Sequence, residues 1–440
     1  MTNEKNIVPP FLIILSVLGY TLNILFHRYL THQMEADAYG NFCIGLNVLE
    51  IAATLLLFGT ELSVMRYIPL SERASDSRMF IGWNFSFIRK VFIIYCLFIV
   101  MTFISLMIIK FNYPELFDTI HTVVFMLLVA PFSALYALFI SYLNSKNNVL
   151  HSSIIDSIGR YILLWTVFVL IFSVAKIKPE SIILAGGYFF VFLILGFIAL
   201  KVYNSKYEPI APIKLLFFTH SAPSNQESKW KTSSIKYAFA NIIFLIFLYI
   251  DKIILEIVHL SEHVVGYYSV LVILVGFFAL ISQASTYVLS PHISKFLHNP
   301  DSESELQGLI NKSNLVVFIL TLNLFIIYLF FGESILGYYG KNGEYSGVYE
   351  ALVYLAVSQI FLEIGKLALR FLLYGGFTDY INKVFVLCVI FLFVTGSTLT
   401  YFYGLNGIIA AHLSTSFFYM LAFIIKVKKE FGGLKVLSFY

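Results

Sequence analysis

The chain has 440 residues, of which 59% are hydrophobic and 12% charged, where an ordinary soluble domain is about a quarter charged. Its mean hydropathy of +0.85 and 45 phenylalanines exceed what a soluble interior can hold. A cytoplasmic enzyme, a nucleic-acid binder and a secreted domain are excluded, leaving a polytopic, all-α integral membrane protein.

A helix needs about twenty residues to cross roughly 30 Å of hydrocarbon. Apolar stretches of that size predict twelve transmembrane helices, at 10–31, 40–68, 84–109, 117–143, 154–174, 181–202, 235–258, 264–291, 313–332, 347–374, 381–403 and 405–426. The second, fourth, eighth and tenth exceed the minimum and are expected to tilt or protrude. The N-terminal run continues to His27 and Arg28 with no small-residue cleavage site, which predicts a first span and not a removed signal. Cys43, Cys96 and Cys388 all fall inside apolar runs, so no disulfide framework is expected.

Basic residues set the orientation. Arg73, Arg78, Arg89 and Lys90 follow the second span; Lys201, Lys206, Lys214, Lys229, Lys231 and Lys236 surround the sixth-to-seventh connection; Lys426, Lys428, Lys429 and Lys435 mark the tail. All lie on one side, and the opposite loops are poorer in positive charge: Glu35 and Asp37, then Lys110, Glu115 and Asp118, then Glu262. Both termini are therefore expected to be cytoplasmic. The net charge of +4 has the same topological origin and does not point to nucleic acid.

The segment 203–234, polar and containing Pro209, Pro212 and Pro223, divides the spans six and six. It predicts an N-terminal bundle at 1–202, a cytoplasmic linker at 203–234, a C-terminal bundle at 235–427 and a cytoplasmic tail at 428–440. A shift of 226 places Tyr39-Gly40-Asn41-Phe42 on Val265-Gly266-Tyr267-Tyr268 and the first span on the seventh. Six helices separate the copies, an even number, so the repeats are parallel and related by a pseudo-two-fold along the membrane normal.

Ionisable groups near a span centre cost about 2.5–3.5 kcal/mol each on the insertion scale, so they mark cavities or partners. The first span presents Ser16, Tyr20, Asn23 and His27 along one face, with His27 expected at the interface. The second carries Asn47, Glu50, Thr54 and Glu61, then Arg66 at its cytoplasmic end. Glu50, placed deep, is a candidate proton or sodium coupling group; a carboxyl hydrogen-bonded to a neighbouring helix is the structural alternative. In the fifth span Asp156 and Arg160, four apart, are expected to pair. In the seventh, Asp251 and Lys252 are adjacent, point in different directions and each need a partner elsewhere or water. In the tenth, Gln359, Glu363, Lys366 and Arg370 recur at four, three and four, which puts them on one face. Glu363 can neutralise Lys366, leaving Arg370 as a further cation nearer the cytoplasm; this stripe reads either as a polar pathway or as a helix-to-helix ion pair. No Gly-Lys-Ser phosphate loop, HExxH or metal-spaced cysteine pair occurs, and no cofactor or metal is expected.

These residues resemble a family. Ala38-Tyr39-Gly40-Asn41-Phe42, Gly59 and Arg66-Tyr67, echoed by Asp251-Lys252-Ile253-Ile254-Leu255, Val265-Gly266-Tyr267-Tyr268-Ser269 and Leu289-Ser290-Pro291-His292-Ile293-Ser294-Lys295, are similar to Wzx-type polysaccharide (O-antigen) flippases of the multidrug/oligosaccharidyl-lipid/polysaccharide transporter superfamily. The chain departs from the pattern at His292, where the family commonly has Arg. The resemblance implies a MATE-like V of two six-helix bundles around a cationic cavity. Carried onto this sequence, that cationic role falls to Arg66, Arg160, Lys252, Lys366 and Arg370; the span reading adds Gln359 as a substrate contact and Glu50, Glu61 and Glu363 as candidate ion-coupling carboxylates. It implies a non-enzymatic flippase of the bacterial inner membrane that moves a polyprenyl-pyrophosphate-linked oligosaccharide outward by alternating access among membrane lipids, with an H+ or Na+ gradient as a candidate drive. A cation-coupled multidrug exporter of the same fold is the alternative. A membrane sugar polymerase or ligase would need a large outer loop, and none of the loops is long enough.

Overall fold

The computed structural model describes residues 4–69, 74–112, 122–146, 148–207, 225–259, 262–298, 303–432 and 438. Among them there is no β-strand, and twelve helices are long and apolar enough to cross a membrane. Arg73, Glu115, Asp118, Lys214, Lys435 and the three prolines at 209, 212 and 223 lie outside the described residues, as do the side chains of Arg78, Lys110, Ser290, Pro291, Ser294 and Lys295.

The helices are α1 (Glu4–Gln33), α2 (Ala36–Leu57), α3 (Thr60–Tyr67), α4 (Ala74–Asn112), α5 (Thr122–Ser145), α6 (Val149–Ser153), α7 (Arg160–Val169), α8 (Ser181–Lys206), α9 (Asn225–His259), α10 (Glu262–Val275), α11 (Phe277–His298), α12 (Glu303–Gly337), α13 (Tyr349–Tyr374), α14 (Thr378–Tyr403) and α15 (Leu405–Glu430). Two π-helical turns, Ile154–Gly159 and Leu170–Val174, flank α7 within the fifth span.

Two of the over-long spans are interrupted rather than simply tilted. The second ends at Leu57, where Phe58 (φ 49°) and Gly59 (φ 77°) turn the chain into α3. A Cβ on Gly59 would lie 2.1 Å from the Ser234 carbonyl oxygen. Glycine there serves both the left-handed backbone and the close crossing of α3 and α9. The eighth span is interrupted at Gly276, between α10 and α11. At Gly266, the repeat partner of Gly40, a Cβ would meet the Ala36 carbonyl oxygen at 2.3 Å.

The contacts resolve two compact units, residues 41–245 and residues 1–40 with 246–440. These boundaries differ from the linker-based ones at 202 and 235: α1 groups with the later helices, and the first part of α9 with the earlier ones. The helix begins at Asn225, so the last ten residues of the expected linker are helical, while 208–224 lie outside the described residues. In the 41–245 unit the main pairing is α5 with α8; in the other, α15 packs on α13 and α14. Trp83 and Trp230, at 6.2 Å between ring centroids, anchor α4 to α9. The third and ninth spans, on α4 and α12, are the least buried of the twelve: none of the most apolar stretch of α4, and 11% of that of α12, is covered by protein. Cys43 and Cys388 are buried, and Cys96 is exposed on α4.

Candidate functional site

The stripe on α13 forms as its spacing predicts. Glu363 is 7% exposed and accepts from Lys366 Nζ at 2.6 Å, from Gln359 Nε2 at 2.7 Å and from the Ser282 hydroxyl of α11. Three donors on one carboxylate meet the requirement that a buried charge be paired and hydrogen-bonded. Arg370 follows one turn beyond Lys366 on the same face, within electrostatic reach of Tyr419 on α15 together with Glu363. Two cations thus stand against one carboxylate.

A second buried group in the same unit surrounds the adjacent pair in α9. Asp251, 1% exposed, accepts from the Tyr268 hydroxyl of α10 and from the Lys252 backbone N–H at 2.7 Å, and faces His412 Nδ1 of α15 at 3.5 Å. Lys252, 6% exposed, lies near His27 of α1, whose Nδ1 is 2.8 Å from the Tyr39 hydroxyl. His27 is therefore enclosed by protein, covered by Tyr39 at the start of α2. Asp251 finds its partners in Tyr268 and His412, away from the Lys252 side chain, which is directed toward the His27 side of the unit. His412 escaped the sequence reading, and Tyr268 entered it only as a repeat and motif position; the available signal was the one basic side chain in the run Leu405–Ile425.

In the 41–245 unit, Arg160 opens α7 directly after a π-turn, a backbone irregularity common at functional sites. Its guanidinium lies 3.6 Å from Asp156 and donates to the Tyr161 hydroxyl at 3.0 Å, while Tyr136 donates to Asp156 at 2.7 Å. Glu50 is within electrostatic reach of Arg160. The structure corrects the placement of Glu50: its side chain is exposed rather than enclosed by protein, although Cys43, Asn47 and Leu57 on the same face of α2 are buried. The argument from desolvation belongs to Glu61 instead.

Glu61, in α3 beyond the end of the second span, is 9% exposed and accepts from Asn241 at 3.3 Å. Burial raises its pKa to about 7, against the pull of its hydrogen bonds. Arg66, exposed at the end of α3, donates to the Tyr237 hydroxyl at 2.7 Å and lies 5.7 Å from the Tyr67 ring centroid. The predicted residues thus fall into separate groups: Gln359, Glu363, Lys366 and Arg370; Lys252; Glu50 and Arg160; and Glu61 and Arg66.

No protein-family profile matches the chain, and no curated protein sequence matches it. Solved structures do. The inward-facing conformation of a multidrug resistance MATE family transporter of the MOP superfamily aligns with a TM-score of 0.67 at 12% identity, covering 94% of each chain. The lipid II flippase MurJ in its inward closed conformation aligns at 0.62 and 14%, covering 96% of this chain and 87% of the other. A MOP superfamily transporter from Pyrococcus furiosus, described as having a binding pocket of reverse polarity, aligns at 0.62 and 10%, covering 97% and 94%. At these identities the likeness is one of architecture: this multi-pass helical chain has the fold shared by MATE transporters and MurJ.

Proposed function

We propose that the chain is a non-hydrolytic flippase that moves a polyprenyl-pyrophosphate-linked oligosaccharide from the cytoplasmic to the periplasmic leaflet of a bacterial inner membrane by alternating access. The observation that carries this reading is the α13 stripe. Glu363 accepts from Lys366, Gln359 and Ser282, and Arg370 follows one turn on along the same face, so the stripe sets two basic side chains and an amide donor in a row. A pyrophosphate with its sugar hydroxyls would pay several kcal/mol per polar group to enter hydrocarbon. A cationic, hydrogen-bonding face lowers that cost while the lipid chain stays in the bilayer. Arg370 and Lys366 contact the pyrophosphate, and Gln359 and Ser282 hold Glu363 so that Lys366 keeps its position. Lys252, Arg160 and Arg66 are further contacts along the path. Glu50 and Glu61 are the groups through which an H+ or Na+ gradient acts.

One observation favours a second reading, a cation-coupled multidrug exporter. In the 41–245 unit two carboxylates, Glu50 and Asp156, stand near one cation, Arg160, a balance that suits a cationic drug.

Leaflet translocation in vesicles carrying a defined lipid-linked glycan separates the two. Arg370→Ala is expected to slow translocation about tenfold or more, the worth of one charge-assisted hydrogen bond, and Arg370→Lys to restore part of it. Normal translocation by correctly inserted Arg370→Ala would overturn the assignment, and transport of a lipophilic cation in place of the glycan would favour the exporter.

A further inference from the structure

We propose that each unit carries a binding cleft for an anionic glycerophospholipid of the cytoplasmic leaflet, a role separate from cargo transport. In the 41–245 unit a cleft of about 820 Å³ opens between α4, α5 and α8 beside the end of α2. Its floor is buried, with Leu57 and Phe85, and its rim is exposed, with Phe92 and Phe197. Pro131, inside α5, lines the wall, where the missing N–H and the ring bend a helix. Gly196 of α8 adds no side chain to fill the space. Arg89 is the one charged residue among those that line the cleft.

The other unit repeats the arrangement at smaller scale. A cleft of about 490 Å³ lies on α1, α11 and α12, lined by Val17, Phe277, Leu309 and Val316, with Lys312 as its one charged lining residue. The internal repeat joins the two observations: a shift of 226 carries Arg89 to within three residues of Lys312. The helices that bear them, α4 and α12, are also the two least covered by protein. Each cation stands at the start of a long apolar run, Val91–Ile109 and Leu315–Phe331, at the end that the charge bias assigns to the cytoplasm.

An apolar chain alone would fill either cleft without using its cation, which stands at the end of a lining that is otherwise apolar apart from Ser313, where a long basic side chain reaches the headgroup level. A phosphodiester with its acyl chains in the cleft meets both ends of this surface. The negative charge pairs with Arg89 or Lys312, as juxtamembrane basic residues attract anionic lipid, and the acyl chains replace missing protein contacts along α4 or α12.

The test uses the full chain in detergent, with native mass spectrometry of lipids retained after incubation with phosphatidylglycerol, phosphatidylethanolamine or polyprenyl phosphate. Phosphatidylglycerol is expected to be retained about fivefold over phosphatidylethanolamine per site, the preference that one basic residue supplies. The preference should fall toward parity in the Arg89→Gln/Lys312→Gln double variant and survive in Arg89→Lys. Leu193→Trp, placed on the exposed rim of the larger cleft, should remove one tightly held lipid without touching any charge. Equal retention of the two phospholipids by the wild type, an unchanged preference in the double variant, or displacement of phosphatidylglycerol by polyprenyl phosphate would each overturn the proposal.

Discussion

The α13 stripe and the Arg160 group are each built around an acid–base pair a few residues apart on one span, yet they arrive at opposite balances. On α13 the carboxylate is enclosed, the ammonium is 2.6 Å away, and cations outnumber acids. Around Arg160 the pair is looser, at 3.6 Å, both side chains are partly open, and acids outnumber cations. The difference lies in coverage. Ser282 from α11 closes over Glu363, whereas the Glu50 side chain is exposed. Tight enclosure fixes a charge in position; an open group leaves its partners exchangeable.

The largest expected effect tests enclosure. Lys366→Met leaves the buried Glu363 with Gln359 and Ser282 but without its cation and should cost about 3 kcal/mol, the lower end of the penalty for breaking a buried pair; the Glu363→Gln/Lys366→Met double variant should recover most of it. Thermal unfolding in one detergent reads both, and equal melting of single and double variants would break the contrast. Next comes charge sign. Arg370→Gln should slow translocation of an anionic glycolipid about tenfold, and Arg160→Gln by less, because Arg160 is already surrounded by acids. The reverse order would move the substrate phosphate to the other unit.

A smaller effect is expected at Asp156→Asn. Its pair with Arg160 is half open to solvent, so the loss should stay within about 1 kcal/mol. The smallest concerns Glu61, whose folded pKa of about 7 lies above its ordinary value of 4.5. The folded state then holds a proton that the unfolded state releases between those values, so this site loses stability as pH rises from about 4.5 to 7. Glu61→Gln should therefore melt a few degrees higher than wild type at pH 8 and level with it near pH 4.5. A constant difference across that range would show that the carboxyl titrates normally.

Much of the fold was legible because hydropathy is a local property: a run such as Val91–Ile109 declares its span without reference to any other part of the chain. The Glu363–Lys366 pair was legible for the same reason, since helical spacing places both on one face. Burial of Glu50 was not, because periodicity shows that residues share a face but not which neighbour covers it. The interruption at Gly276 was hidden within a continuous apolar run, and that at Gly59 within a span whose polar residues read as one helical face. The Asp251–His412 contact joins residues 161 positions apart, beyond any helical periodicity.

One feature of the third span has a practical use. Cys96 is exposed on α4, one turn beyond Phe92 at the rim of the larger cleft, while Cys43 and Cys388 are enclosed. The native chain therefore offers a selectively labelled thiol there: a bilayer-permeant maleimide fluorophore attached at Cys96 would read cleft occupancy as a change in quenching, with no engineered mutation.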